Sequence, residues 1–273
     1  MRGVLMATVV ALLSVASAPA VGAARTDCQP QAIRDLERLS PQGHAIYVAM
    51  RDKKQFLTFL TCDDVQLGLS TAVHESVHIL TEQLDAFPLL AGGALPRQHL
   101  VSRFYPPREI AGKFKADDSY VQTYLRRGAA SSADDLLYLL DELNAYSHDL
   151  ASATKLVDLH KGDGQVDHRA GLAALMTFLM HYVEVAHERK PPTWEGLRRP
   201  EVKTVIETLW QQAESTLVGS LAIRGFGGEA YLAHICERRN GEALAVLLGR
   251  PPMSSAACGS LATAASPTGS IAK

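Results

Sequence analysis

Residues 71–80 read TAVHESVHIL, and what this stretch does decides how the rest of the chain is understood. His74 and His78 are four apart, so on an α-helix both imidazoles project from one face within a single turn. Two neutral imidazoles so placed can bind one Zn2+. Glu75 lies about 100° round the helix from His74, beside such an ion rather than on it, where a carboxylate can take a proton from water. The flanking Thr71, Ala72, Val73, Ser76, Val77, Ile79 and Leu80 are all uncharged, which suits a site buried against a core. On an ordinary helix the same histidines would be satisfied core residues.

The surrounding sequence supports a helix here. Leu69, Val73, Val77, Leu80 and Leu84 form an apolar stripe at 3.6-residue spacing. Asp63 followed by Gln66 has the spacing of a capping box, and the helix should stop before Pro88. Upstream, a short helix over 31–39 should end at Pro41-Gln42-Gly43. HAIYVAM (44–50) and QFLTFLTC (55–62) then read as two strands joined by the polar turn RDKK. Downstream, 91–116 is loop-like and 119–127 a short helix. Ser131-Ser132 should cap a long helix over 133–159. A further helix over 169–188 is apolar nearly all round and should lie centrally. Two or three more helices are expected near 201–221, 229–238 and 241–248.

The fold class expected is mainly α (α+β): a small N-terminal β-hairpin, the helix bearing the two histidines, and a helical bundle. Residues 24–250 read as a single domain. The Ser-, Ala- and Gly-rich residues 251–273 read as a flexible tail.

Both ends of the chain also speak to location. Arg2, the apolar run from Val4 to Ala16 and the small residues Val21, Gly22 and Ala23 have the organisation of a signal peptide cleaved near Ala23. The run is shorter than the roughly 20 residues of a membrane span, and no later segment replaces it, because His181 and Glu184 interrupt the apolar stretch 170–180. The protein is therefore expected to be secreted or periplasmic. Its four cysteines suit that setting: Cys28–Cys62 and Cys236–Cys258 are favoured by proximity among three possible connectivities. A net charge of -2 over 273 residues removes the electrostatic case for nucleic acid as a partner.

With uncharged residues between and around its HExxH, residues 71–80 resemble the zincin metallopeptidases. Leu84 stands where the third His of the metzincin extension would fall, which leaves the gluzincin pattern, with a third ligand Glu on a later helix. That resemblance implies Glu142, in LLDELNAYSHDL, 64 residues after His78. It also implies a peptide or protein substrate, one Zn2+, and Glu75 as the general base that activates water. Gluzincins often place an Asp four residues after the ligand Glu; here that position is Tyr146, so Asp141 or Asp149 would have to orient a histidine instead. The oxyanion donor is open among Tyr146, Tyr105, Tyr124, His148 and His181, with Tyr146 put first.

Other readings use overlapping residues. His148, or His181 and Glu184 in the polar stripe Thr177–His181–Glu184–Glu188, could supply the third ligand. The order Glu37, Glu75/His78, Glu142, Glu184/His187 resembles the ligand order of ferritin-like di-iron bundles. A third possibility is an exported helical binding domain without catalysis. The oligomeric state is not legible.

Overall fold

The computed structural model describes residues 28–161 and 167–264. The chain is mainly helical, with one two-stranded antiparallel sheet. In order, the helices are α1 (Gln29–Leu39), α2 (Pro41–Ala49), α3 (Lys53–Phe59), α4 (Val65–Leu84), α5 (Ser119–Tyr124), α6 (Leu136–Lys155), α7 (His168–Arg189), α8 (Pro191–Leu197), α9 (Pro200–Gly219), α10 (Glu229–Cys236), α11 (Glu242–Leu248) and α12 (Ser255–Ala264). Strands β1 (Ala86–Pro88) and β2 (Ala94–Pro96) pair with Phe87 opposite Leu95.

The two strands expected at 44–50 and 55–62 are instead α2 and α3. Local chemistry decides this. Pro41 sits in the first turn of α2, where its missing N–H is no loss, and Ser40 Oγ accepts from the Gly43 N–H. Asp52 caps α3 by accepting from the Lys54 N–H at 2.9 Å. The large apolar residues that bury, Ile46 with Met50 and Phe56 with Leu60, are each four apart, a helical interval that the aromatic and β-branched content obscured. Pro41-Gln42-Gly43 thus begins a helix rather than only ending one. The small hairpin does exist, but it follows α4 instead of preceding it.

α4 is the helix expected over 71–80. Its cap is Asp64, one residue later than expected, accepting from the Leu67 N–H at 3.1 Å. Leu69, Val73, Val77 and Leu80 are buried, whereas Leu84 is exposed. Gln66 is buried and donates to the Ala153 carbonyl at 2.9 Å, tying the start of α4 to the end of α6. Gly68 is required there, because a Cβ would stand 2.4 Å from the Thr61 carbonyl oxygen. α6 begins at an Asp135 cap rather than at Ser131-Ser132.

Two apolar clusters result. The first joins α1–α3 and the outer face of α4, and takes in Ala145 and Leu156. The second and larger gathers α6, the almost wholly buried α7, α9, α10 and α11, with Phe87 from the hairpin. α6 lies between them and packs most extensively against α4. Asn144 and His148 of α6 both bond the Pro88 carbonyl, fixing the hairpin on this helix.

Both expected disulfides, Cys28–Cys62 and Cys236–Cys258, form. The second anchors part of the segment expected as a flexible tail: α12 starts at Ser255, and Met253 and Ala257 are buried. The expected signal peptide and the last nine residues lie outside the described residues. No helix among the described residues is long and apolar enough to cross a membrane.

Candidate metal centre

His74 and His78 point from α4 towards α6, where Glu142 meets them. The three donor atoms form a triangle: His74 Nε2 to His78 Nε2 is 3.2 Å, His78 Nε2 to Glu142 Oε2 is 3.5 Å, and His74 Nε2 to Glu142 Oε2 is 3.7 Å. Tetrahedral zinc, about 2.0–2.1 Å from N and O donors, separates those donors by about 3.3 Å. Glu142 Oε2 is buried and has no hydrogen-bond donor among the described residues, so its lone pairs are left for a cation. Two imidazoles and a carboxylate are a zinc-type donor set, and the residues present fit that ion.

Outside the triangle, His78 Nδ1 donates to Asp141 Oδ2 at 2.6 Å. This is the arrangement by which carboxylates fix the tautomer of metal-binding histidines, and it selects Asp141 for His78. Asp149 faces the other imidazole, with Oδ2 3.8 Å from His74 Nδ1.

No protein-family model, curated protein or solved structure matches this chain.

The remaining candidates separate cleanly. Tyr146 packs its ring edge-on to His74, with centroids 4.6 Å apart, and its hydroxyl lies 2.7 Å from that of Tyr124. Burial pushes the pKa of both phenols up, so both keep their protons. Glu75 is partly exposed and makes no hydrogen bond or ion pair among the described residues. Its charge and that of Glu142 both reach Tyr124.

His148 is spoken for by the Pro88 carbonyl, and burial lowers its pKa to about 4. Tyr105 exchanges hydrogen bonds with Tyr182. His181 pairs with Glu184, which also holds Lys113, so neither is a third ligand. The di-iron constellation is not assembled either: Glu37 is exposed on the short α1, and His187 lies against Trp194. Its premise was four long helices, and the first of them is replaced by the short helices α1–α3. A cavity of about 650 Å3 opens between α6 and α9 over Leu89 and Leu90, on the face of α6 away from Glu142. It holds no His or carboxylate lining and is unrelated to the triad.

Two residues near the site carried no local sequence signal. His168, at the first turn of α7, donates through Nδ1 to Asp149 Oδ1 at 3.2 Å. Gly171 lets α7 approach Tyr146 so closely that an added Cβ would stand 2.1 Å from the ring. Gly171→Ala is therefore expected to destabilise the protein by about 1–3 kcal/mol by overpacking, measured by denaturant titration. A neutral result would mean that Tyr146 is free to move off His74.

The triad also sets a pH profile for the metal-free protein. Burial alone would lower the His78 pKa, but the hydrogen bond to Asp141 and the nearby negative charge of Glu142 outweigh it and raise the value to about 10. Burial would raise Glu142, yet contact with the two histidines lowers it to about 2. A raised His contributes stability fully below its unfolded value of 6.5 and loses it as pH rises towards 10. A depressed Glu contributes fully above its unfolded value of 4.5 and loses it as pH falls towards 2. Denaturant titrations in chelator are expected to give maximal contribution from this pair between pH 4.5 and 6.5. Asp141→Asn should flatten the alkaline flank. If it does not, Asp141 is not what holds the proton on His78.

Proposed function

We propose that this chain is an exported zinc-dependent peptidase in which His74, His78 and Glu142 hold one Zn2+. The observation that carries the reading is the triangle of donor atoms closed by a buried Glu142 oxygen with no hydrogen bond of its own. Zinc in such a site supplies Lewis acidity, which acidifies water and polarises a carbonyl.

The chain's own residues account for the remaining steps. Glu75, unpaired and reachable from solvent, accepts the proton of the attacking water on its carboxylate and returns it to the leaving nitrogen. Tyr124 and Tyr146, kept protonated by burial, are the donors for negative charge growing on the carbonyl oxygen. Asp141 holds His78 with its proton on Nδ1, leaving Nε2 free to donate its lone pair. The two disulfides suit an oxidising compartment.

The resemblance to gluzincins rests on α4 and α6. Among the described residues no strand precedes α4, since 53–59 is helical, so substrate recognition by strand addition is not part of this reading. Metal analysis of the purified protein tests it: one zinc per chain and chelator-sensitive hydrolysis of an unstructured peptide are expected. A chain that binds no zinc at micromolar concentration would be a helical binding domain instead.

A further inference from the structure

The two histidines of the triad are braced unequally. His78 Nδ1 has its carboxylate, Asp141, at hydrogen-bond distance. His74 Nδ1 is buried without a hydrogen-bond partner, and the carboxylate facing it, Asp149, stops 3.8 Å away. An imidazole that offers its Nε2 lone pair must carry its proton on Nδ1, and a buried N–H demands an acceptor. Asp149 lies seven residues beyond Glu142, two turns along the same face of α6, which is why it can serve where Tyr146, at the usual position, cannot.

Asp149 is itself held. Its Oδ1 accepts from His168 Nδ1 at 3.2 Å, and the His168 side chain is only 2% exposed. The first turn of α7 is clamped in turn: the Arg169 backbone N–H bonds the Phe226 carbonyl, and its guanidinium bonds the carbonyls of Gly227 and Ser220. The His168 ring packs edge-on to Phe226.

We propose that His168 is a positioning residue for the metal site, acting through Asp149 on His74. It keeps one oxygen of Asp149 occupied, so that the other is presented to His74 Nδ1 and closes by about 1 Å to hydrogen-bond distance when His74 Nε2 takes the ion. The inference rests on the zinc reading, and its test separates the two.

The full-length chain, stripped of metal, is titrated with Zn2+ against a competing chelator, and folding of each variant is checked by circular dichroism. Wild type is expected to bind one zinc; no binding would sink the zinc reading itself. His168→Leu and Asp149→Asn should each weaken zinc about 10- to 100-fold. The double variant should be no weaker than Asp149→Asn alone, because both changes break one chain of contacts. His168→Asn, whose amide N–H sits where Nδ1–H was, should stay within about threefold of wild type. Zinc affinity unchanged in His168→Leu while Asp149→Asn is weakened would overturn the role of His168. Equal losses in His168→Asn and His168→Leu would do the same. Should His168→Leu fail to fold, proton NMR of zinc-loaded protein decides: a downfield His74 Nδ1–H resonance is expected in wild type and His168→Asn and absent in Asp149→Asn. Its absence from wild type would refute the proposal.

Discussion

Glu142→Gln is expected to weaken zinc binding roughly 10²–10³-fold and to abolish hydrolysis with it. Protein zinc sites bind with apparent free energies on the order of 10 kcal/mol, and in the proposed site three side chains would share that energy. Gln keeps the volume of the side chain but replaces the carboxylate oxygen, now buried and unpaired, with a neutral amide. It also removes one of the two carboxylates that hold the proton on His78, so the metal-free variant should lose its histidine charge at lower pH than wild type. Competition with a chromogenic chelator measures the first effect and NMR titration of the imidazole the second. Wild-type zinc affinity in this variant would remove Glu142 from the ligand set.

Glu75→Gln should give the opposite split. Zinc affinity is expected within about threefold of wild type, because Glu75 contributes no atom to the donor triangle. Peptide hydrolysis should fall by about 10²–10⁴, the usual share of a positioned general base. Zinc-loaded Glu75→Gln that still turns over substrate would mean that the proton goes elsewhere. Taken together, the two substitutions distinguish a residue that holds the ion from one that uses it.

Much of this arrangement is legible in the sequence, and the exceptions have physical causes. α4, α6 and α7 were legible because long helices repeat their signal: an apolar stripe in α4, caps at its start, and an all-round apolar surface for α7. The donor pair His74 and His78 needed only the helical interval of four. α2 and α3 are not legible because segments of seven to nine residues carry too few periods to separate a helix from a strand, and Ile46, Val48 and Phe56 favour strand. The decisive information lay in the Ser40 and Asp52 caps, which the RDKK turn reading passed over. Glu142 came from resemblance, and Asp141 over Asp149 as the partner of His78 follows from which side of α6 meets α4. His168 and Gly171 were beyond reach: each acts on a residue some 20 positions away through tertiary packing, and nothing beside them in sequence announces it.

The position of α6 between two apolar clusters bears on how the donor triangle is assembled. The histidines belong to the N-terminal half of that contact and the carboxylate to the other side of the seam, 64 residues further along the chain. A chain whose first four helices have not yet docked owns two imidazoles and no third donor. Competence at this site is thus a report on assembly: the three donors come together only once α4 has docked on α6.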